Sequence, residues 1–345
     1  MTNVLFIETE RLKVAFRHVG GVNARKLLFL HGNLSSSVCL DPLFPYLSEH
    51  YDVVAPDLRC FGETEPLPID ATRGYRDWSD DIAAFVKELG WDSFILAGWS
   101  MGGDIAMQFT IDHPEMVEEL ILLCPGPPYG FGGSYGIEGE AYDPEGLGSG
   151  AGTAFPGLVY AIEHKSLSFL RDMMLKQNFT PGAKRDLEWE NRLVHAMTHV
   201  TTGTEHFPGN YSVSTKWPYV VAGDKGVLNA MTPTYGRLDD FIKIADKPPV
   251  LWIRGEKDQV VSDHSSIEFG ALGEDGTVPG WPGADTYPAQ PMIRQLREFF
   301  AKYQDEGGSV TERIMPGGHM CAQQHPELFT QEVNDFIRNQ STIGA

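Results

Sequence analysis

Phe94-Ile95-Leu96-Ala97-Gly98-Trp99-Ser100-Met101-Gly102-Gly103 is the stretch on which the fold turns. Its first four residues are apolar, read as a buried strand, and run straight into Gly98. Gly98-Trp99-Ser100-Met101-Gly102 then matches G-x-S-x-G. A helix is expected over residues 104–110, closed by Asp112-His113-Pro114. A sharp strand-to-helix turn forces its central serine into a strained backbone conformation. Only small neighbours leave room for that turn, which accounts for Gly98 and Gly102. The helix start behind Ser100 adds free N–H groups and the positive end of a dipole. Ser100 therefore reads as a nucleophile.

The same alternation continues on both sides of this turn. Residues 14–18, 26–30, 53–55 and 120–123 read as strands, and residues 79–89 repeat apolar side chains at helical spacing. This βαβα pattern predicts a mostly parallel sheet with helices on both faces. Residues 125–157 break it, with eleven glycines and five prolines in thirty-three positions, and read as a long mobile loop. Helical pieces follow near 158–175, 184–200 and 238–245, rich in aromatic residues. The α/β pattern returns at Pro249, with strands over 250–253 and 310–314 and helices over 291–303 and 328–338. The reading is a core of residues 1–125 and 249–345, with residues 126–248 inserted as a cap.

A serine hydroxyl is a poor nucleophile at neutral pH. It needs a base, and the base needs an acid to orient it. His319, in Pro316-Gly317-Gly318-His319 after the last strand, is the candidate base. Asp258, in Gly255-Glu256-Lys257-Asp258 after the penultimate strand, is the candidate acid, with Asp263 in reserve. The chain order Ser, Asp, His agrees with this assignment. The strand that follows the elbow helix ends Leu122-Leu123-Cys124-Pro125 and offers no carboxylate. A tetrahedral oxyanion needs two backbone donors. Met101 supplies one, and the early loop His31-Gly32-Asn33-Leu34 the other, from Asn33 with Leu34 in reserve.

Taken together, His31-Gly32-Asn33, Asp57-Leu58-Arg59-Cys60-Phe61-Gly62, the elbow at Ser100, Asp258 and His319 resemble the α/β-hydrolase superfamily, in its lidded serine-nucleophile esterase and lactonase branch. The resemblance implies an eight-stranded, mostly parallel sheet, a cap above the site and no cofactor. The Asp57 segment departs from the usual D-x-R-G-H-G form, with Cys60 and Phe61 in place of Gly and His. Haloalkane dehalogenases and epoxide hydrolases carry aspartate at the elbow, so Ser100 sets this chain apart from their chemistry.

Composition bounds the remaining possibilities. Over 345 residues, 27 Lys and Arg stand against 47 Asp and Glu, a formal net charge of −20. Such a field repels phosphate backbones and anionic membrane surfaces, so neither nucleic acid nor a membrane is an expected partner. No apolar run reaches the ~18 residues of a membrane span. Cys39, Cys60, Cys124 and Cys321 are scattered, without a C-x-x-C pair, and read as free thiols in a cytoplasmic protein. His195 and His199 share the spacing of a zinc pair, but Ala196 stands where a metalloprotease carries glutamate, so no metal is expected. Residues 146–152, Gly-Leu-Gly-Ser-Gly-Ala-Gly, lack the lysine and spacing of a phosphate loop.

The expected function is therefore hydrolysis of a carboxylic ester or lactone through an acyl-enzyme. The aromatic residues of the insertion point to a bulky apolar or aromatic small molecule, with the glycine-rich loop over 130–157 as a moving gate. Two alternatives share the fold: a C–C bond hydrolase acting on β-diketone-type substrates, and a small-molecule receptor without turnover. The chain is expected to be a monomer or a homodimer.

Overall fold

The apolar runs become the centre of one sheet. A computed structural model of the chain describes residues 3–21, 23–143 and 152–343. The main sheet holds eight strands. They are β1 (Leu5–Glu8), β2 (Lys13–Val19), β3 (Arg25–Leu30), β4 (Tyr51–Pro56), β5 (Phe94–Trp99), β6 (Val117–Leu123), β7 (Val250–Gly255) and β8 (Val310–Met315). Their spatial order is β1-β2-β4-β3-β5-β6-β7-β8. β2 pairs antiparallel with β1 and with β4, and the other neighbours are parallel. Residues 27–30, 94–97, 120–123 and 250–253 are buried throughout. A parallel sheet is covered on both faces, which is why its central strands are apolar on both sides rather than alternating.

The helices used below are α1 (Arg76–Glu88), α2 (Met101–Asp112), α3 (Pro156–Glu163), α4 (Leu167–Asn178), α5 (Leu187–Met197), α6 (Met292–Asp305) and α7 (Pro326–Ile343). α2 packs against β3, β5, β6 and α1, and its residues 101–110 are all buried. α6 shows the one-sided pattern of a surface helix, burying Leu296, Phe299, Phe300 and Tyr303. Phe300 meets Trp252 of β7 with ring centroids 5.3 Å apart, and Tyr303 stacks on Phe241 at 4.8 Å. No helix of the described residues is long and apolar enough to cross a membrane.

Several elements differ from the sequence reading. β1 is an additional strand; it is mostly exposed, and its backbone pairs with β2 define it. The expected helix over 158–175 is two helices, broken at Lys165, which takes a left-handed φ of +51°. The expected helix over 238–245 is a 3₁₀ turn, Asp239–Lys243. α5 starts at Leu187 because the Asp186 carboxylate accepts from the Glu188 and Trp189 amides at 3.0 and 3.1 Å.

The glycine-rich segment is also corrected. Ser134–Tyr135 pairs antiparallel with Glu140–Ala141, giving residues 126–143 a short ribbon instead of a loose loop. The buried Gln290 holds it: its amide donates to the Gly130 carbonyl and the Ser134 hydroxyl, and its oxygen accepts from the Gly132 amide. A partner 158 residues away leaves no local sign in the sequence. Residues 144–151, with most of the phosphate-loop-like stretch and part of the expected gate, lie outside the described residues.

Candidate active site

β5 delivers Ser100 to the start of α2 on a turn with φ +55° and ψ −129°. A positive φ is costly for a residue with a Cβ. The surroundings hold it in place. The Ser100 amide donates to Leu123 O at 2.9 Å, and Gly103 N donates to Ser100 O at 2.7 Å. A Cβ on Gly98 would lie 2.2 Å from Gly102 O, and one on Gly102 would lie 2.5 Å from both Leu30 O and His31 O. The glycines of the motif are therefore required by backbone-to-backbone contact.

The early loop closes on this turn. A Cβ on Gly32 would lie 2.8 Å from the Ser100 Cβ. His31 is fully buried; its Nδ1 bonds Gly32 O at 2.8 Å, and its Nε2 accepts from the Leu58 amide at 2.9 Å. These bonds require the neutral tautomer with the proton on Nδ1. Burial pushes the imidazole below its ordinary value, in agreement. Leu34 takes φ +56°, and its amide is occupied by Asn33 Oδ1 at 2.9 Å. That bond leaves the Asn33 amide as the better donor of the two. Met101, as the first residue of α2, has an N–H with no acceptor inside the helix.

Asp258 and His319 meet. His319 Nδ1 lies 2.8 Å from Asp258 Oδ2, and both side chains are 3% exposed. Asp258 Oδ1 accepts from the Val260 and Val261 amides at 2.8 and 3.0 Å, which fixes the carboxylate plane. Burial opposes the imidazolium form of His319, but the facing Asp258 carboxylate outweighs burial and pushes the imidazole up. Trp99 on the elbow donates from Nε1 to His319 O at 2.9 Å, with the two rings 5.4 Å apart. The end of α4 reaches the same loop, where the Asn178 carbonyl accepts from the Met320 amide at 3.1 Å. Asp263, the reserve acid, instead caps α6, accepting from the Ile293 and Arg294 amides at 2.9 and 3.2 Å.

Ser100, Met101, Asn33, Leu34 and His319 line one cavity of about 150 Å³. The remaining wall is largely methionine and aliphatic: Met173 and Met174 of α4, Leu193 and Met197 of α5, then Leu228, Met231, Val260, Val261 and Met320. Six of the chain's 11 methionines line it. Methionine is apolar and has several rotatable bonds, so such a wall adapts its shape. None of the ten aromatic residues between positions 155 and 235 lines this cavity; Phe131 and Trp99 do. Of the insertion's aromatic residues, Phe131 is the one that lines the cavity. Phe155, Tyr160, Phe169, Tyr211 and Tyr219 are exposed, while Trp189, Phe207 and Trp217 are buried. Composition cannot separate these from pocket residues, because helix spacing leaves the facing direction open when both sides carry apolar side chains.

The cavity also contains a residue that no sequence motif singles out. Asp104 lies one turn after Ser100 on α2, is 1% exposed and lines the same space. Its one signal in the sequence is an acid set between glycines and apolar residues just behind the elbow. All four cysteines are free and buried. Cys124 Sγ lies 3.9 Å from Cys321 Sγ beside His319, and burial pushes the Cys124 thiol well above its ordinary range. Cys124, Asp258 and His319 form the one set of three ligand-type atoms within 4.8 Å of one another among the described residues. His195 and His199 do not join such a set; His199 pairs with Glu63 at 2.6 Å.

A sequence model of the alpha/beta hydrolase fold matches residues 26–148. A 2-(acetamidomethylene)succinate hydrolase from Mesorhizobium japonicum is 25% identical over 263 residues, 76% of this chain and 81% of that protein. A pimeloyl-[acyl-carrier protein] methyl ester esterase from Legionella pneumophila is 33% identical over 103 residues, 30% of this chain and 39% of that one. Other matches to curated relatives are equally partial, spanning 38%, 41% and 33% of the relative's length. Among solved structures, the carboxylesterase CesB from Bacillus subtilis aligns with a TM-score of 0.57 and 18% identity, over 98% of this chain and 92% of that one. A sheet of order β1-β2-β4-β3-β5-β6-β7-β8, a serine on a strained turn between β5 and α2, and these matches show that the chain has the α/β-hydrolase fold.

Proposed function

We propose that the chain is a serine hydrolase that cleaves a carboxylic ester or lactone of an uncharged, apolar small molecule. The observation that carries this reading is the buried Asp258–His319 pair on the cavity that Ser100 lines. Ser100 attacks the carbonyl carbon and His319 accepts its proton. Asp258 holds the imidazole with Nδ1–H facing the carboxylate, leaving Nε2 as the acceptor, and stabilises the cation that forms. The Asn33 and Met101 amides bond the developing oxyanion. The alcohol leaves with the proton from His319, and water activated by the same imidazole then releases the acid. The esterase names among the relatives agree with this chemistry.

Residues 126–248 serve as the cap over a core of residues 1–125 and 249–345. Support comes from the methionines of α4 and α5 in the cavity wall and from the Asn178 contact to the His319 loop. Among the described residues, no Lys or Arg lines the cavity. An anionic substrate would lose its hydration there without gaining a partner, so a neutral one is favoured.

The test is labelling with a fluorophosphonate, followed by intact-mass spectrometry. Wild type should take one adduct and Ser100→Ala none, and hydrolysis of aryl esters should disappear with the same substitution. A folded wild type that takes no adduct would overturn the reading.

A further inference from the structure

Asp104 is a carboxyl group in the wrong place for a merely structural acid. It is buried on α2 one turn beyond Ser100, and its Oδ1 has no hydrogen-bond partner among the described residues. Its Oδ2 is held from behind. The Tyr75 hydroxyl lies 3.4 Å away, and the Gly126 backbone closes on it so tightly that a Cβ there would lie 2.3 Å from Oδ2. No Lys or Arg among the described residues lines the cavity to balance a charge. A carboxyl in those surroundings is the neutral acid, and burial does push Asp104 well above the usual carboxylate range. With Oδ2 accepting from the Tyr75 hydroxyl and Oδ1 left without a partner, the proton belongs on Oδ1. The partnerless atom is therefore a donor waiting for an acceptor.

We propose that Asp104 is a specificity-determining residue whose carboxylic acid donates a hydrogen bond to an uncharged oxygen acceptor, a ketone or ether oxygen, on the substrate. The inference rests on the hydrolase reading given above and names its substrate class. Four residues of α-helix rise roughly 6 Å. The acceptor therefore sits a few bonds from the carbonyl that Ser100 attacks, on an otherwise apolar chain that the methionine wall accommodates. A carboxylate in that position is disfavoured, because nothing in the wall compensates its charge.

The experiment uses the intact chain and a set of alkyl fluorophosphonates of equal length. One chain is all methylene, and the others carry a ketone or ether oxygen at successive positions. The second-order labelling rate of Ser100 is read by intact mass. In wild type, one oxygen-bearing probe should react about three- to tenfold faster than the methylene probe, the range expected for one neutral hydrogen bond. Asp104→Leu should bring that ratio to about one. Asp104→Asn should retain most of it, because its amide can still donate. A structural role would slow every probe by the same factor in both variants and leave the ratio intact. Equal rates for all probes in wild type, or a ratio unchanged in Asp104→Leu, would overturn the inference while leaving Ser100 as nucleophile. If the Leu variant does not fold, the wild-type series and Asp104→Asn decide. Absence of labelling by every probe would instead remove the hydrolase reading itself.

Discussion

Replacing Asp258 with asparagine tests the proposed triad with little disturbance of the fold. The new side chain would keep its Oδ1 on the Val260 and Val261 amides, which now donate to Asp258 at 2.8 and 3.0 Å, so it should stay in place. The other arm becomes an NH₂ facing His319 Nδ1, which at present lies 2.8 Å from a carboxylate oxygen. Two donors cannot face each other, so the imidazole proton moves to Nε2. That nitrogen then carries a proton where it should accept one from Ser100. An inverted tautomer costs a factor of about 10⁴ in kcat, or roughly 5 kcal/mol of barrier. Stability should change far less. A charge-assisted bond becomes a neutral one, a loss of about 1 kcal/mol. With an unfolding entropy of about 2.1 cal/mol/K per residue, that lowers Tm by roughly 1–2 °C for a chain of this length. Aryl-ester hydrolysis and fluorophosphonate labelling measure the first quantity, and calorimetry the second. Activity falling less than tenfold in a folded variant would refute the assignment of Asp258 as the orienting acid.

His319 must be neutral to accept a proton, and Asp258 raises its pKa, so kcat/KM should climb with pH through a midpoint above the ordinary imidazole value of 6.5. A profile with its midpoint at or below 6.5 would contradict this. Trp99→Phe strands the buried His319 carbonyl by removing the 2.9 Å bond from Nε1–H, at an expected cost of about 1–3 kcal/mol, or roughly 1.5–4 °C in Tm, together with lower kcat/KM. Unchanged Tm and rate would show that the bond positions nothing. Gly102→Ala places a Cβ 2.5 Å from two backbone oxygens and should abolish soluble expression or labelling, whereas Gly21→Ala, with nothing within 4 Å, should leave both as they are. Away from the site, Arg59 Nε and Nη2 donate to the two Asp81 oxygens at 2.7 and 2.6 Å, with both side chains 7% exposed. Arg59→Met leaves that acid with only the more exposed Arg11 and should cost about 3–5 kcal/mol, read as a lower urea midpoint; a shift under about 1 kcal/mol would mean that Arg11 alone neutralises Asp81.

The sheet and the elbow are legible in one dimension. Runs such as residues 94–97 and 120–123 are apolar without alternation, which only a strand covered on both faces tolerates, so each can be read locally. Gly98, Ser100 and Gly102 can be read for a related reason: the turn is short, and its steric demands fall on adjacent residues. Features that depend on distant partners emerge only on folding. Gln290 anchors the glycine-rich segment, and a left-handed Lys165 splits a helix that periodicity joins. Packing turns methionines, rather than the more numerous aromatics of the insertion, toward the cavity. Asp104 is an ordinary acid when read along the chain. It becomes a buried carboxyl beside Ser100 only when Tyr75 and Gly126 close behind it, because burial and missing partners are properties of the folded surroundings and not of the residue.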